Sequence, residues 1–343
     1  MEWVIANGGV ENIPLYNCSS RSYEDWTKEK GVPHPISGAL ALTYGIIVEL
    51  CYLPCIWVMS SRELLRLSCY KIMFLLGIVD MCAIAVNSIT TGLLLIEGAV
   101  FCSRPTLIFV TGSIGLGAWC TACMICFILV INRLFDILNS SLVKTYFSGY
   151  RTCVLLIFPL LYGFYFTFFT PPVVFTSQYQ AWFFDPFIFE NQSSLYQNPP
   201  HSANNIIIVV VTCLLYGYLC IALNNKFRDN YFNKSNRSHK SVFIQSTIIC
   251  MANLVASIIY VVMQFFPVPD WVIIAGHMGW QLGHGCPAII YITMNRTIRT
   301  GVLRFLGFKK DPKISVQPFS THGHHTSNTH SSAHVERTET ENY

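Results

Sequence analysis

Ionisable side chains fall at the centre of long apolar stretches in this sequence, and they are the first residues whose chemistry needs a reason. Glu49, Asp80 and His284 each sit about halfway along such a stretch. A charged group at that depth in a membrane is costly and marks either a functional site or a paired contact. The three could meet in one polar cluster at half depth. Asn87, two turns from Asp80, and Gln281, one turn from His284, would extend it on the same helix faces. Two readings stay open: a switch that rearranges, or interhelical hydrogen bonding worth ~1 kcal/mol per contact.

Cys120, Cys123 and Cys126 spell C-x-x-C-x-x-C, a spacing that invites metal or redox chemistry. On a helix these positions form a drifting stripe, and no His or acid adjoins them to complete a tetrahedral ligand set. Polarizable packing between helices is the expected role, with no metal and no cofactor. His277 and His284, with only Glu49 and Asp80 to assist, do not assemble the three ligands and open position of a catalytic metal, so an enzyme is not expected. His277, Trp280 and Gln281, with Gln264 and Trp119, offer polar and aromatic groups for ligand contact. Plain packing, or a place at the membrane interface, competes with that role at each position.

The elements that position these residues are seven apolar spans, near 36–60, 70–96, 105–131, 150–172, 204–224, 241–266 and 271–294. A segment of ~20 apolar residues crosses the hydrocarbon core as a helix. Charged residues make up 12% and apolar ones 52%, far from the roughly 25% charged of an ordinary soluble domain. The expected fold is an all-α membrane protein, a seven-helix bundle. Its parts are a tail (1–35), the bundle (36–294), an amphipathic helix (295–310) and a disordered tail (311–343), the last rich in Ser, Thr, His and Asn and open to phosphorylation. In the amphipathic helix Ile298, Val302, Phe305 and Leu306 share one side. Pro54, Pro159 and Pro287 interrupt their helices, and Gly112, Gly115 and Gly117 allow close approach to the third span.

Basic residues orient the chain, because short loops keep Lys and Arg in the cytoplasm. With the C-terminus inside, 18 of the 22 basic residues are cytoplasmic, and the loop 171–203 has neither Lys nor Arg. The N-terminus is therefore expected outside, and the formal charge of +4 signals orientation, not nucleic-acid binding. The start of the chain lacks the pattern of a cleavable signal, so the first span is expected to act as the signal anchor. Of 14 cysteines, only Cys18 and Cys102 face the oxidising side; they are expected to pair, the alternative being two free thiols. Outward sequons stand at Asn17 and Asn191, the latter preferred because Cys18 adjoins Asn17. The aromatic loop 171–203 either covers the pocket as a lid or lies on the lipid surface.

Four stretches carry a family likeness: Asn17–Ser19, Tyr52–Met59 (YLPCIWVM), Ser68–Asp80 (SCYKIMFLLGIVD) and His284–Tyr291 (HGCPAIIY). With them the chain resembles nematode chemoreceptors of serpentine receptor class T, from about Tyr16 to Lys310. The resemblance implies a rhodopsin-like G-protein-coupled receptor, chemosensory, with a small-molecule or odorant ligand, a heterotrimeric G protein as partner, and a place in the plasma membrane, sensory cilia being a candidate compartment. Asn132-Arg133 then stands where rhodopsin-like receptors have Asp-Arg-Tyr: the arginine is kept and its neighbouring acid is lost. Asp80 matches the midplane acid of the second helix, Cys286-Pro287 replaces Asn-Pro, and Tyr291 lies one residue later than the family spacing. The usual cysteine partner in the second outer loop is missing. Arg228 and Lys240, in the basic third inner loop, join Arg133 as candidate coupling residues; topology and anionic lipid account for that basicity equally.

Other classes fit less well. A retinal protein needs a lysine in the seventh span, and residues 271–294 hold none. A transporter would show repeated halves. A non-signalling membrane scaffold or orphan interaction protein is the alternative that one sequence does not separate from a receptor.

Overall fold

A computed structural model describes residues 1–138, 140–228 and 235–309. The expected tail 311–343 lies outside the described residues. The N-terminal tail carries two short helices, α1 (Glu2–Asn7) and α2 (Tyr23–Lys30). Ser22 caps α2 by accepting a hydrogen bond from Asp25 N at 3.2 Å.

Seven long helical segments follow among the described residues. The first is α3 (Pro35–Met59). The second runs through α4 (Ser68–Ile84), a π-helical turn (Ala85–Thr90) and α5 (Thr91–Glu97). The third is α6 (Pro105–Leu138), followed by the short α7 (Ser140–Phe147). The fourth to seventh are α8 (Arg151–Phe169), α9 (Pro199–Arg228), α10 (Ser235–Phe265) and α11 (Asp270–Met294), and α12 (Arg296–Phe305) closes the described chain. Pro54, Pro159 and Pro287 lie inside α3, α8 and α11.

Six of the seven segments are long and apolar enough to cross a membrane. The exception is α11, the seventh segment, in which the sequence already placed His277, Gln281 and His284. It carries Asp270, His277, Gln281 and His284 within 25 residues, and it buries the two histidines against its neighbours. Intramolecular partners replace lipid on that face.

Burial ranks the helices. The third span hides 78% of its most apolar stretch, whereas the first and fourth hide 22% and 28%. Thus α6 is the axis of the bundle, and α3 and α8 turn Ile36, Leu40, Leu50, Trp57, Phe158 and Leu161 outward, toward lipid. Close approach of α6 and α8 explains two glycines. A Cβ on Gly117 would stand 1.9 Å from Thr167 Oγ1 and 2.8 Å from the Gly163 carbonyl oxygen, which only glycine accommodates at both contacts.

At the end bearing the N-terminal tail, β1 (Val174–Thr176) and β2 (Ala181–Phe183) pair antiparallel, Phe175 opposite Trp182. Both side chains are buried. Trp182 Nε1 donates to Thr91 Oγ1 at 2.8 Å, and Ser177 N donates to the Ala99 carbonyl at 2.9 Å. Of the two readings left open for this loop, the hairpin takes the covering one: it lies over the mouth of the bundle. The tail packs on the same mouth. Tyr16 sits edge-on to Phe109 and Tyr196, ring centres 5.0 and 5.7 Å apart, and Cys18 is bonded to Cys102 across 84 residues.

At the opposite, basic end α12 folds back on α3. Asn295 caps it by accepting from Ile298 N at 3.1 Å, and Gly301 lies against Val58. Ile298 and Val302 are buried while Phe305 and Leu306 are half exposed. The apolar side of the amphipathic helix is therefore split, Ile298 and Val302 being buried and Phe305 and Leu306 left toward the membrane surface.

Candidate functional site

Asp80 lies at half depth on α4 with 1% of its surface exposed. Its two carboxyl oxygens have different partners. His284 Nδ1 stands 2.7 Å from Oδ1, and the Tyr52 hydroxyl donates to Oδ2 at 2.9 Å. Tyr52 also lies 2.6 Å from the His284 carbonyl oxygen, so the first, second and seventh segments meet at one carboxyl group. The structure thus joins two of the three expected midplane groups and adds Tyr52, which sequence reading passed over as one aromatic among many. Glu49 is the correction. Its side chain is half buried and its Oε1 has no hydrogen-bond partner among the described residues. It occupies the position three residues before Tyr52 on α3, about 60° around the helix from it, and that rotation carries it away from Asp80.

One level toward the tail end, Gln281 Nε2 donates to the Asn87 carbonyl at 2.8 Å and stands 3.2 Å from His277 Nε2. Asn87 Nδ2 donates to the Trp280 carbonyl at 3.4 Å, and the Tyr44 hydroxyl donates to the Gln281 carbonyl at 3.2 Å. Asn87 belongs to the π-helical turn, where the hydroxyls of Thr90 and Thr91 donate to carbonyls five residues back. Such a turn is a recurrent feature of functional sites in helices, and no periodicity in the sequence signals it. Asn87 and Gln281 therefore form their own layer rather than joining the Asp80 group through any described bond.

The expected ligand residues divide. Trp119 lies 3% exposed near the bundle axis; its Nε1 donates to Asn205 Oδ1 at 3.1 Å, and its ring faces His284 at 5.9 Å and Tyr260 at 6.4 Å. Trp280 packs over Gly115 and meets His277 edge-on at 5.9 Å. Gln264 is the exception: it is exposed, while its neighbour Met263 turns in toward Gly276. One step along a helix is a 100° rotation, which takes the Gln264 side chain off the interior face.

A polar row on α9 went unnoticed in the sequence. Asn204 Oδ1 accepts from the Tyr162 hydroxyl at 3.0 Å, Asn204 Nδ2 donates to Asn205 Oδ1 at 3.2 Å, and Asn205 Nδ2 stands 3.4 Å from His201 Nε2. His201, Asn204 and Asn205 are all buried. Two adjacent asparagines at the start of the span expected at 204–224 were a usable signal.

At the basic end Arg133 is 7% exposed and its Nε has no hydrogen-bond partner among the described residues. Asn132, in place of the acid, donates to Ser68 Oγ at 3.0 Å. Asn295 accepts from the Tyr70 hydroxyl at 3.4 Å and donates to Gln245 at 3.3 Å. The side chains of Arg228 and Lys240 lie outside the described residues. Pro287 and Tyr291 are buried, and the Tyr291 hydroxyl has no described partner. Cys126 accepts from Asn253 Nδ2 at 3.3 Å, beside a cavity lined by Cys123, Cys126, Tyr216, Cys250 and Asn253 whose 10 Å³ suits about one water.

Around the mouth, burial raises the hydroxyl of Tyr196 to about 12, with Asp185 adding to the effect. Burial raises Tyr16 too, helped by Tyr196 and Asp185. Both phenols stay neutral and hydrogen-bonding; Tyr196 donates to the Leu15 carbonyl at 2.7 Å.

Three comparisons bear on this geometry. A family model described as serpentine-type seven-transmembrane GPCR chemoreceptor Srt matches residues 3–315. Serpentine receptor class T-55 of Caenorhabditis elegans is 27% identical over 301 residues, which cover 87% of this chain and 82% of that protein. The crystal structure of squid rhodopsin superposes with a TM-score of 0.53 at 12% identity, over 86% of this chain and 96% of the other, a likeness of fold.

Proposed function

The chain belongs to the serpentine seven-transmembrane chemoreceptor family Srt, and from that premise we propose that it binds a small ligand in the tail-end half of its bundle and couples to a heterotrimeric G protein at its basic end. It is a G-protein-coupled receptor of the chemosensory kind, a multi-pass membrane protein whose family and fold are those of receptors and not of enzymes. The finer statements are ours: N-terminus extracellular, C-terminus cytoplasmic, residence in the plasma membrane with sensory cilia as a candidate compartment, and Arg133, Asn132, Arg228 and Lys240 as the coupling surface.

The observation that carries the reading is how α11 is tied in. Hydrogen bonds link it to other segments at two levels, Gln281 with Tyr44 and Asn87, then His284 with Asp80 and Tyr52, and Asn295 just beyond its end adds Tyr70 and Gln245. Trp119, Trp280 and His277 adjoin the upper levels, and Arg133 lies at the depth of the lowest. A ligand that moves α11 changes partners at every level, which is the differential contact a two-state receptor requires. Arg133 is covered in this arrangement, so coupling requires the basic end to open.

A second-messenger assay of the intact chain against Arg133→Ala, both at matched surface expression, tests the reading. Basal or ligand-dependent signalling should fall at least tenfold in the variant, about 1.4 kcal/mol of lost coupling. Equal signalling from the two proteins would sink the role of Arg133 and favour the scaffold alternative.

A further inference from the structure

The C-x-x-C-x-x-C stripe of α6 gains a partner from α10. Cys126 and Cys250 are free, buried thiols that share a hydrogen bond. The sulfur of Cys126 also accepts from Asn253 Nδ2 at 3.3 Å. Asn253 stands three residues beyond Cys250, so two successive turns of α10 face that one sulfur. On its other side Cys250 is hydrogen-bonded by Tyr216 of α9. A hydrogen bond between thiols brings the sulfurs close to contact, and rotation about each Cα–Cβ bond is the motion by which a disulfide closes. The 10 Å³ cavity opens beside both, with Cys123 on its wall. Its size suits a water. Hydrogen peroxide is a neutral molecule little larger, and it reaches such a place with no charge to bury, whereas an ionic oxidant does not.

The position of the contact gives it a consequence. Cys126 lies seven residues before Arg133 on α6, two turns or about 10 Å along the axis. Cys250 lies five residues after Gln245, which accepts from Asn295 at 3.3 Å. The two thiols therefore meet just inside the basic end, where Arg133 is covered and where coupling requires α10 to part from α6. A disulfide holds its two Cα atoms about 4.4–6.8 Å apart, so the helices cannot separate at this level once it forms.

We propose that Cys126 and Cys250 are a modification site for hydrogen peroxide, and that the disulfide formed there staples α6 to α10 and holds the receptor uncoupled. One thiol sulfur attacks a peroxide oxygen, the O–O bond breaks, and a sulfenic acid and the first water result. The second sulfur then displaces the sulfenic hydroxyl, which forms the S–S bond and releases the second water. Each sulfur loses one electron, each peroxide oxygen gains one, and both thiol hydrogens end in water. The effect on signalling rests on the coupling proposed above; the cross-link itself does not.

The test has two readouts on the full-length chain. Purified wild-type receptor is treated with hydrogen peroxide and then denatured in a thiol-blocking reagent, and non-reducing digestion with mass spectrometry maps its cross-links. A Cys126–Cys250 peptide pair should appear, lighter by two hydrogens than its separate halves, and Cys123→Ser should form it equally. In cells, peroxide should lower the second-messenger signal of the wild type about tenfold, because a stapled population leaves the two-state exchange. Cys250→Ser at matched surface expression should keep its signal under the same treatment, with Cys126→Ser as the second variant if the first fails to fold. The proposal is overturned if both thiols remain open to blocking after peroxide, if Cys126 pairs with Cys123 instead, or if the cross-link forms and the wild-type signal persists. A cross-linking receptor that is silent even before peroxide would instead remove the coupling function and leave the modification site standing.

Discussion

Tyr52 takes part in two of the three hydrogen bonds at the centre of the bundle, donating to Asp80 Oδ2 and lying against the His284 carbonyl. It is fully buried, so water cannot replace its hydroxyl. Tyr52→Phe keeps the ring and leaves an oxygen of Asp80 unpartnered, which should destabilise the receptor by about 1–3 kcal/mol. Tyr44→Phe removes a comparable bond, to Gln281, from a half-buried ring and should cost less, about 0.5–1.5 kcal/mol. Thermal unfolding of the two purified variants gives the ranking; equal losses would mean that burial of the Asp80 group carries no weight. Asp80 and His284 were legible in the sequence because ionisable residues are rare in apolar spans. Tyr52 was not, because a tyrosine in a membrane helix carries no such signal and its partner lies 28 residues away.

Elements meet where small residues permit. The α6–α8 contact rests on Gly117 and Gly163, whose added Cβ atoms would fall 2.8 Å from each other's carbonyl oxygens. Gly117→Ala should cost about 1–3 kcal/mol through overpacking. Gly217 on α9 has nothing within 4 Å of an added Cβ, so Gly217→Ala should be neutral or stabilise by up to about 1 kcal/mol through helix propensity. Melting temperatures of the pair check this, and a harmless Gly117→Ala would show that the helices can part without loss. The spans themselves were readable to within a few residues at most ends: α3 covers Pro35–Met59 against an expected 36–60, and α11 Asp270–Met294 against 271–294. The π-helical turn at Ala85–Thr90 was not readable, since its hydrogen bonds replace an ordinary helical pattern without changing the apolar run.

At the scale of the whole molecule, the tail and the hairpin close one end while Arg62, Arg66, Arg299 and Arg304 gather at the other. If the closed end is extracellular, a glycan belongs on Asn191, which is exposed, and not on Asn17, whose Oδ1 accepts from Ser19 N at 2.8 Å beside the Cys18–Cys102 bond. Glycosidase should shift the gel mobility of the wild-type chain and leave Asn191→Gln unmoved. A wild-type chain that carries no glycan at all would count against this orientation.

The sequence by itself determined the bundle, its span count, its charge asymmetry and the family likeness, because hydropathy and basic-residue bias act locally along the chain and need no partner to be read. Tertiary structure alone decided which polar residues meet. Glu49, Asp80 and His284 look equivalent in sequence, yet helix rotation brings the last two to 2.7 Å and turns the first away. Gln264 and Gln281 look equivalent too, and a step of 100° separates the exposed one from the one bonded to Asn87. Rotation of a helix about its axis is set by packing against every neighbour at once, and that information is spread over the whole chain rather than held in any window of it.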